Sequence, residues 1–194
     1  MNKVTAEDIL EKAKKFIGIE TSPSKALYPV EYDPIRRFCH SIGDENPLYL
    51  DPEYGKSSRF HGTPVPMTAL TVVSGDAPRW PPAAALETLP PMPSIGVSGI
   101  NLSTEWEFFK PVLVGDHISV SERYSDVYIK AIRIDPQAFW TVAERIYWNQ
   151  NNEMVAVWRN FGLTHRNPEE VENNIIKEAL VFPLGAAKNH RLTK

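Results

Sequence analysis

The second half of the chain alternates between apolar and polar side chains, and this alternation restricts the fold more than any other feature. The segment STEWEFFKP sets Trp106 and Phe108 against Glu105 and Glu107, and HISVSERYSDVYI continues the pattern. Two further segments, FWTVAERIYW and MVAVWRNFGLTH, flank the polar turn NQNNE. A period of two is typical of strands, and two strands joined by a short polar turn form a hairpin. These segments predict long strands in a strongly bent antiparallel sheet.

The first half predicts helices instead. Residues 5–17 predict a helix that is capped by Thr5, with Asp8 three positions on, and that ends at Gly18. A second helix is predicted to begin at Asp33, which would cap it and is followed by a proline. Its apolar residues fall on one stripe, as expected for a helix that packs on a core.

Residues 67–73 predict the centre of the fold. They are nearly all apolar or small, which favours a helix buried on all sides. Because this helix follows other helices and precedes long strands, we expect a sheet wrapped around it. The expected fold class is α+β, with a single antiparallel sheet around a central apolar helix. Residues 1–166 are predicted to form that domain, and residues 167–194 a tail with a possible helix over 168–180 and a polar end.

Composition excludes several function classes. A chain of 194 residues suits one domain, and its net charge of −3, with scattered basic residues, argues against binding to nucleic acid or to an anionic membrane. Cys39 is the single cysteine, so an internal disulfide and a cysteine-built metal site are excluded, and no cluster of metal ligands is visible. Without a signal core or an apolar run of about 18 residues, we expect a cytoplasmic protein with no membrane span.

The short segment GDENPLYLD is typical of an active-site loop. It follows the second helix and offers a carboxylate at Asp44, an amide at Asn46, a stiffening proline at Pro47 and a phenol at Tyr49. Each also has a structural interpretation: Asp44 and Asn46 can hold backbone N–H groups of a turn, and Tyr49 can be a core residue. A histidine at position 49 would have completed an acid–base pair with Asp44.

The run YDPIRRFCHSIGDENPLYLDPEYGKSSRFHG resembles the MaoC-like dehydratases, which include the (R)-specific enoyl-CoA hydratases. A weaker likeness continues through FFKPVLVGDHISVSERYSDVY, so the resemblance covers roughly residues 28–165. It implies the hot-dog fold, and it implies that Asp44, Asn46 and Pro47 match the family's catalytic loop while its histidine falls on Tyr49. The sequence is most similar to the family's non-catalytic hot-dog halves, which accommodate the acyl chain.

The resemblance implies hydration of an enoyl thioester or dehydration of a 3-hydroxyacyl thioester. This chemistry needs a base, an acid and donors for the enolate oxygen. The backbone N–H of Gly62 is expected to point at that oxygen, and Thr63 and Val65 are the other donors ahead of the apolar helix, because two prolines there lack N–H groups. A phenol with a pKa near ~10 is no base at neutral pH, so Tyr49 cannot replace histidine directly.

Three versions of the function remain open at this point. The leading one is a subunit that binds the acyl chain and pairs with a catalytic hot-dog partner as a hetero-oligomer. The second is a self-sufficient enzyme that uses Asp44 with Tyr49 or His61, and a homodimer is the alternative to the hetero-oligomer. The third is a non-enzymatic acyl-thioester-binding protein. In each, the substrate is carried on coenzyme A or acyl carrier protein, with coenzyme A preferred, and no cofactor or metal is expected.

The substrate-binding residues are expected to be Asn46, Gly62, Thr63 and Trp80. Trp80 belongs to the proline-rich segment 77–94, which is too dense in proline for long regular structure. Because prolines lower the entropy cost of ordering a loop, we predict that this segment forms a wall or lid of the acyl pocket.

Overall fold

The computed structural model describes residues 4–73 and 89–181. In these ranges the main sheet contains β1 (Ser24–Lys25), β3 (Ser98–Phe108), β4 (Ser119–Ile129), β5 (Phe139–Trp148) and β6 (Met154–His165). This five-stranded sheet has the order β1-β4-β5-β6-β3, and every neighbouring pair is antiparallel. A separate two-stranded sheet pairs β2 (Met92–Ile95) with β7 (Glu178–Val181). The antiparallel sheet expected from the alternating segments is confirmed.

Bulges bend the long strands. The register shifts between Asn101 and Ser103 on β3, and between Tyr124 and Asp126 on β4. An extra residue in one strand increases local twist and curvature, so these bulges let one sheet curve around the elements packed on it. The predicted hairpin between β5 and β6 is also present: the Asn149 N–H donates to the Glu153 carbonyl at 3.0 Å.

The helices precede the long strands, except for one. They are α1 (Ala6–Lys14), α2 (Tyr32–Ile42), α3 (Pro47–Leu50), α4 (Pro52–Ser57), a 3₁₀ helix (Met67–Ala69) that runs into α5 (Leu70–Val73), and α6 (Pro168–Glu172). Thr5 and Asp8 form the predicted capping box of α1. The predicted cap of α2 is wrong, because Glu31 occupies the N-cap. Asp33 lies inside the first turn and instead pairs with Arg36 and Arg37.

Two apolar clusters lie on the helix-bearing face of the sheet in the described part of the chain. We call them the α2 cluster and the α1 cluster. The α2 cluster joins Ile35 and Cys39 of α2 to Val120, Tyr147 and Ala156 of the sheet. Three elements form the α1 cluster: α1 contributes Ala6, Ile9 and Ala13, β2 contributes Met92 and Ile95, and the main sheet contributes Tyr124, Val127 and Phe139. The core is thus divided along the strand direction.

The helical segment 67–73 is buried on one side only. Ala69 and Leu70 are buried in the α2 cluster, but 63% of Met67 is exposed and Val72 is exposed as well. The expectation of burial on all sides is therefore wrong, because only one face of this short helical segment packs into the α2 cluster. Residues 74–88, which include most of the proline-rich segment, lie outside the described residues.

The described part of the tail docks on the chain's own domain. The possible helix over 168–180 is wrong beyond Glu172, because residues 178–181 form β7 and pair with β2, with Met92 opposite Val181. The division at residue 166 stays a prediction. Within residues 4–73 and 89–181, no helix is long and apolar enough to cross a membrane.

Candidate functional site

The loop after α2 is shaped by its own polar side chains. Gly43 ends α2 in the left-handed conformation, at φ 69°, and the Asp44 N–H donates to the Cys39 carbonyl at 2.9 Å. The Asp44 Oδ1 accepts the Asn46 N–H at 3.0 Å, and the Asn46 Oδ1 accepts the Leu48 N–H at 3.0 Å. Asn46 is thereby the N-cap of α3. Both side chains therefore perform the turn-holding role that their residue types favour.

Tyr49 lies where the resemblance would place a histidine. Its side chain is half-buried and packs against the α2 cluster. Burial raises the pKa of the Tyr49 phenol, and the nearby Asp44 carboxylate and Cys39 raise it further. A phenol whose pKa lies above its usual value of ~10 stays protonated at neutral pH, so Tyr49 is a hydrogen-bond donor and no base. The loop brings Asp44 and Tyr49 together without forming an acid–base pair.

The backbone donors ahead of the apolar helix are largely engaged. The Gly62 N–H donates to the Gly55 carbonyl at 3.1 Å, and the Val65 N–H donates to the Val112 carbonyl at 2.8 Å. A Cβ on Gly55 would lie 2.9 Å from the Gly62 carbonyl oxygen, so only glycine allows this close approach. Of the three donors expected at this place, the Thr63 N–H alone has no hydrogen bond within residues 4–73 and 89–181, and Thr63 is buried.

His61 is exposed and has a positive φ of 56°, and no hydrogen bond of its ring to Asp44 is present among the described residues. A positive φ is unusual for a residue with a β-carbon and marks a backbone fixed by its surroundings. Its N–H donates to the Ser58 carbonyl at 3.1 Å, so the backbone is held while the ring faces solvent. Trp80, the remaining predicted substrate-binding residue, lies outside the described residues.

Beside Tyr49 lies a cavity of about 230 Å³. Two parts of the chain form it: residues 48–70, and the segment that runs from the end of β3 to residue 112. The lining residues are Leu48, Tyr49, Arg59, Phe60, Pro64, Val65, Pro66, Met67, Leu70, Phe108, Phe109, Lys110, Pro111 and Val112. Most of these are apolar, and the lining also carries two cations, Arg59 and Lys110, of which Lys110 pairs with the Glu153 carboxylate. Such a lining suits an apolar chain that carries an anionic group.

A turn after the cavity holds its two walls together. Pro64 and Leu113 form a bridge between the two walls. The Asp116 carboxylate accepts the Leu113 N–H at 2.8 Å, and the Gly115 N–H donates to the Val30 carbonyl at 2.8 Å. Gly115 has a φ of 98°, which only glycine adopts readily. The Gly-Asp turn at residues 115–116 therefore fixes the cavity and takes no part in its lining.

Sequence reasoning missed most of the cavity residues. Of the residues that it proposed for the site, Tyr49 and Val65 line the cavity, whereas Arg59, Phe108 and Lys110 were not proposed for it. The only indication of these three cavity residues in the sequence was their position next to predicted site motifs. Arg59 comes two residues before His61, and three residues separate the FFKP stretch from the Gly-Asp turn. In the described part of the chain, no three side chains of His, Cys, Asp or Glu are placed to hold a metal ion.

Comparisons with known proteins agree on the type of domain. A family model described as "FAS1-like, dehydratase domain region" matches residues 15–157. A protein of Thermomonospora curvata, named "Probable enoyl-CoA hydratase alpha subunit", is 26% identical over 207 residues. That match covers 97% of this chain and 65% of the relative. The chain therefore spans 65% of the length of this curated relative.

Solved structures share the fold. The ChsH1–ChsH2 complex of Mycobacterium tuberculosis contains a chain with a TM-score of 0.66 at 16% identity, and the match covers 84% of this chain and 99% of that one. A MaoC-like dehydratase from Rhodospirillum rubrum has a TM-score of 0.54 at 19% identity, and the match covers 78% of this chain and 94% of that one. At such identities the likeness shows the architecture, which is the hot-dog arrangement expected from the sequence.

Proposed function

Because this chain belongs to the FAS1-like dehydratase domain family and has the hot-dog fold of the MaoC-like dehydratases, we propose that it is the acyl-binding subunit of an enoyl-thioester hydratase or 3-hydroxyacyl-thioester dehydratase. It holds the acyl thioester and pairs with a hot-dog partner whose loop carries both the aspartate and the histidine. The thioester is carried on coenzyme A in preference to acyl carrier protein. No metal or cofactor enters the reaction.

The observation that carries this proposal is the chemistry of residue 49. Addition of water needs a group that accepts a proton at neutral pH, and Asp44 with an imidazole would supply it. Tyr49 stands in that place, and its pKa is raised by burial and by the Asp44 charge, so it keeps its proton. One of the two groups that exchange protons with water and substrate is therefore missing from this loop.

Engagement of the backbone donors supports the same assignment. Stabilisation of an enolate oxygen needs donors aimed at it that are not used elsewhere. The N–H groups of Gly62 and Val65 already donate to carbonyl oxygens within the fold. A site with Thr63 as its remaining backbone donor is better suited to holding a thioester than to stabilising charge on its oxygen.

The cavity beside Tyr49 supports a role in thioester binding. An apolar wall built from the two helical stretches and the end of β3 can take the acyl or pantetheine chain. Arg59 in its lining can pair with a phosphate of the carrier, whereas Lys110 would have to exchange its partner Glu153 to do so. Phosphates occur both in coenzyme A and in the prosthetic group of a carrier protein, so the cavity alone leaves both carriers open.

The exposure of the edge strand β3 supports the proposal that this chain pairs with a partner. It borders the sheet, its residues 98–105 are exposed, and Ile100 and Leu102 are among the exposed apolar side chains. An exposed apolar edge is a place where another strand can add to the sheet. The similar protein of known structure from M. tuberculosis is a two-component complex, and the similar T. curvata protein is named as an alpha subunit. We expect an interface of about 2,000 Å² or more, as obligate assemblies have.

The test compares this chain alone with the reconstituted assembly. The chain is purified alone and with a hot-dog protein that carries the intact aspartate–histidine loop, and both samples are given an enoyl-CoA. We expect the isolated chain to bind the thioester yet hydrate it at least about a hundredfold more slowly than the assembly, because one proton-transfer group is worth ~10²–10⁴ in rate.

The other versions give different results in the same assay. Full turnover by the isolated chain would identify a self-sufficient enzyme that uses Asp44 with Tyr49 or His61. Binding without turnover in any assembly would identify a non-enzymatic acyl-thioester-binding protein. Absence of binding in both samples would refute the proposal altogether.

A further inference from the structure

The cavity beside Tyr49 is poor in groups that can donate a hydrogen bond to a ligand. Pro64, Pro66 and Pro111 in its lining have no backbone N–H. The Val65 N–H is engaged within the fold, because it donates to the Val112 carbonyl at 2.8 Å. The other lining residues whose N–H groups already donate are Leu48, Tyr49, Phe60, Leu70, Phe109 and Lys110. A ligand in this cavity therefore contacts a lining whose backbone donors are mostly absent or in use.

The hydroxyl of Tyr49 is a donor that the fold leaves unused. Tyr49 lines the cavity, and its hydroxyl makes no hydrogen bond within residues 4–73 and 89–181. The hydroxyl of Tyr32, by contrast, donates to the Leu50 carbonyl. Burial raises the pKa of the Tyr49 phenol, and the Asp44 charge raises it further, so the phenol keeps its proton at neutral pH. Tyr49 therefore offers an uncharged donor to whatever occupies the cavity.

The exposure of the lining residues places Tyr49 between the mouth and the floor of the cavity. Met67 and Phe109 are exposed and form the mouth. Leu70 and Val112 are buried in the α2 cluster and form the floor. Tyr49 is half-buried and packs against that same cluster, so it lies at intermediate depth. A ligand that enters at the mouth and ends at the floor has its middle part beside Tyr49.

An acyl thioester has the same order of groups along its length. Its carrier is polar, its acyl chain is apolar, and the carbonyl oxygen between them accepts hydrogen bonds. The enoyl and the 3-hydroxyacyl forms both contain this oxygen, whereas one of them contains a hydroxyl. Thr63, whose N–H is free of a backbone bond in the described part of the chain, does not line this cavity. Within the described lining, the uncharged side-chain donor at the level of the carbonyl is the Tyr49 hydroxyl.

We propose that the Tyr49 hydroxyl donates a hydrogen bond to the carbonyl oxygen of the acyl thioester and so recognises the thioester in the cavity. This inference rests on the proposed function and adds the residue that binds the thioester. Tyr49 is a substrate-binding residue in this role, because its proton stays on the phenol. A carbonyl that leaves water without a new donor loses its hydrogen bonds, so one donor in a lining poor in donors discriminates strongly.

The experiment uses two ligands that differ only at the carbonyl. A saturated acyl-CoA, which cannot be hydrated, is compared with an S-alkyl-CoA of equal length in which a methylene group replaces the carbonyl. Dissociation constants are measured by calorimetry on the full chain and on the reconstituted assembly. We expect Tyr49→Phe to weaken binding of the thioester about fivefold, which is the usual contribution of one hydrogen bond. Binding of the thioether should change by less than about twofold, because phenylalanine keeps the ring.

Two other tyrosines provide matched controls. Tyr32→Phe removes the bond to the Leu50 carbonyl at the end of α3, so it disturbs the loop that carries Tyr49 without removing a donor from the cavity. Tyr54 is exposed on α4 and does not line the described cavity, so Tyr54→Phe measures the loss of a hydroxyl alone. Neither variant should change the ratio of the two dissociation constants.

Infrared spectroscopy gives a direct measurement of the same bond. An isotope label at the carbonyl carbon separates the ligand band from those of the protein. A hydrogen bond weakens the C=O bond, so the band should lie at lower frequency with the unmodified chain than with Tyr49→Phe. The same frequency in both would contradict the inference.

The outcomes separate this inference from the proposed function. An equal effect of Tyr49→Phe on thioester and thioether would overturn the inference and leave the proposed function standing. A third ligand, the 3-hydroxyacyl-CoA, tests the other oxygen: if Tyr49→Phe weakens its binding alone, the hydroxyl binds the oxygen at C3 and the assignment to the carbonyl is wrong. Failure of every acyl-CoA to bind the unmodified chain and its assembly would overturn the proposed function and the inference with it.

Discussion

The substitution Asp44→Asn in this chain tests whether Asp44 takes part in catalysis or only maintains the shape of the loop. In the folded chain the Asp44 Oδ1 accepts the Asn46 N–H at 3.0 Å. An asparagine amide oxygen can accept the same bond, and asparagine and aspartate both favour turns in which the side chain accepts an N–H two residues on. We therefore expect the free energy of unfolding to change by less than about 1 kcal/mol. The substitution removes the charge while it keeps the turn.

The two assignments predict very different rates. If Asp44 activated water, loss of its charge would lower turnover by ~10²–10⁴, which is a rise of about 3–5 kcal/mol in the barrier. Our assignment gives this carboxylate no proton to transfer, because Tyr49 beside it stays protonated. Turnover of the assembly should then change by less than about threefold, or ~0.7 kcal/mol. The matching substitution in the partner's loop should abolish it.

The assay is the initial rate of enoyl-CoA hydration by the reconstituted assembly, followed by loss of the enoyl thioester absorbance. Asp51→Asn is the matched control, because the Asp51 Oδ1 also accepts backbone N–H groups, those of Glu53 and Tyr54, at the start of α4. Both variants should behave alike. A fall of a hundredfold or more with Asp44→Asn alone, at an unchanged melting temperature, would refute our reasoning and assign the active site to this chain.

Three further predictions concern stability and assembly. Asp135→Asn should cost about 3–5 kcal/mol in a urea titration, because it leaves the buried Arg166 without the carboxylate that it contacts at 2.7 Å. Burial opposes ionisation of Asp135, but the Arg166 hydrogen bonds outweigh it and hold the pKa below the usual 3.8. This contribution is therefore present above pH 3.8 and lost as the pH falls through the lower folded pKa, so the variant's deficit should shrink only in acid. Gly96→Ala should lower the melting temperature by roughly 6–12 °C, whereas Gly99→Ala should change it little. The reason is that a Cβ on Gly96 would lie 2.1 Å from a backbone oxygen of β6, and the nearest atom to a Cβ on Gly99 is 4.0 Å away. Ile100→Lys should raise the dissociation constant of the assembly tenfold or more in sedimentation, since a charge on an edge strand opposes strand addition. An unchanged constant would move the interface away from β3.

Local sequence patterns were sufficient to predict those helices, strands and turns that are determined by their own residues. The long strands and the β5–β6 hairpin follow from alternation and turn chemistry, and the capping box of α1 follows from Thr5 and Asp8. The α2 cap was wrong because Asp33 and Glu31 both precede a plausible first turn. Asp33 has arginines three and four residues on, so pairing with them competes with capping.

Elements that depend on distant partners could not be predicted in this way. Residues 178–181 lie in a segment with the composition of a helix, yet they form a strand because β2 offers them a pairing edge. The cavity has the same origin, since Arg59 and Lys110 come together only when Pro64 bridges to Leu113. Strand pairing across long sequence separations leaves little trace in local periodicity.

A loop of this type can keep its motif without keeping its chemistry. The side chains of Asp44, Asn46 and Asp51 each accept backbone N–H groups, and these bonds fix the end of α2 and the starts of α3 and α4. Replacing any of them by an apolar residue would cost a capping bond of about 1 kcal/mol whether or not the loop is catalytic. Among the described residues the Tyr49 side chain holds no backbone group in this way, so a change at position 49 would leave the hydrogen bonds that shape the loop intact. The presence of the aspartate and asparagine is therefore weak evidence for activity, and the residue at position 49 decides it.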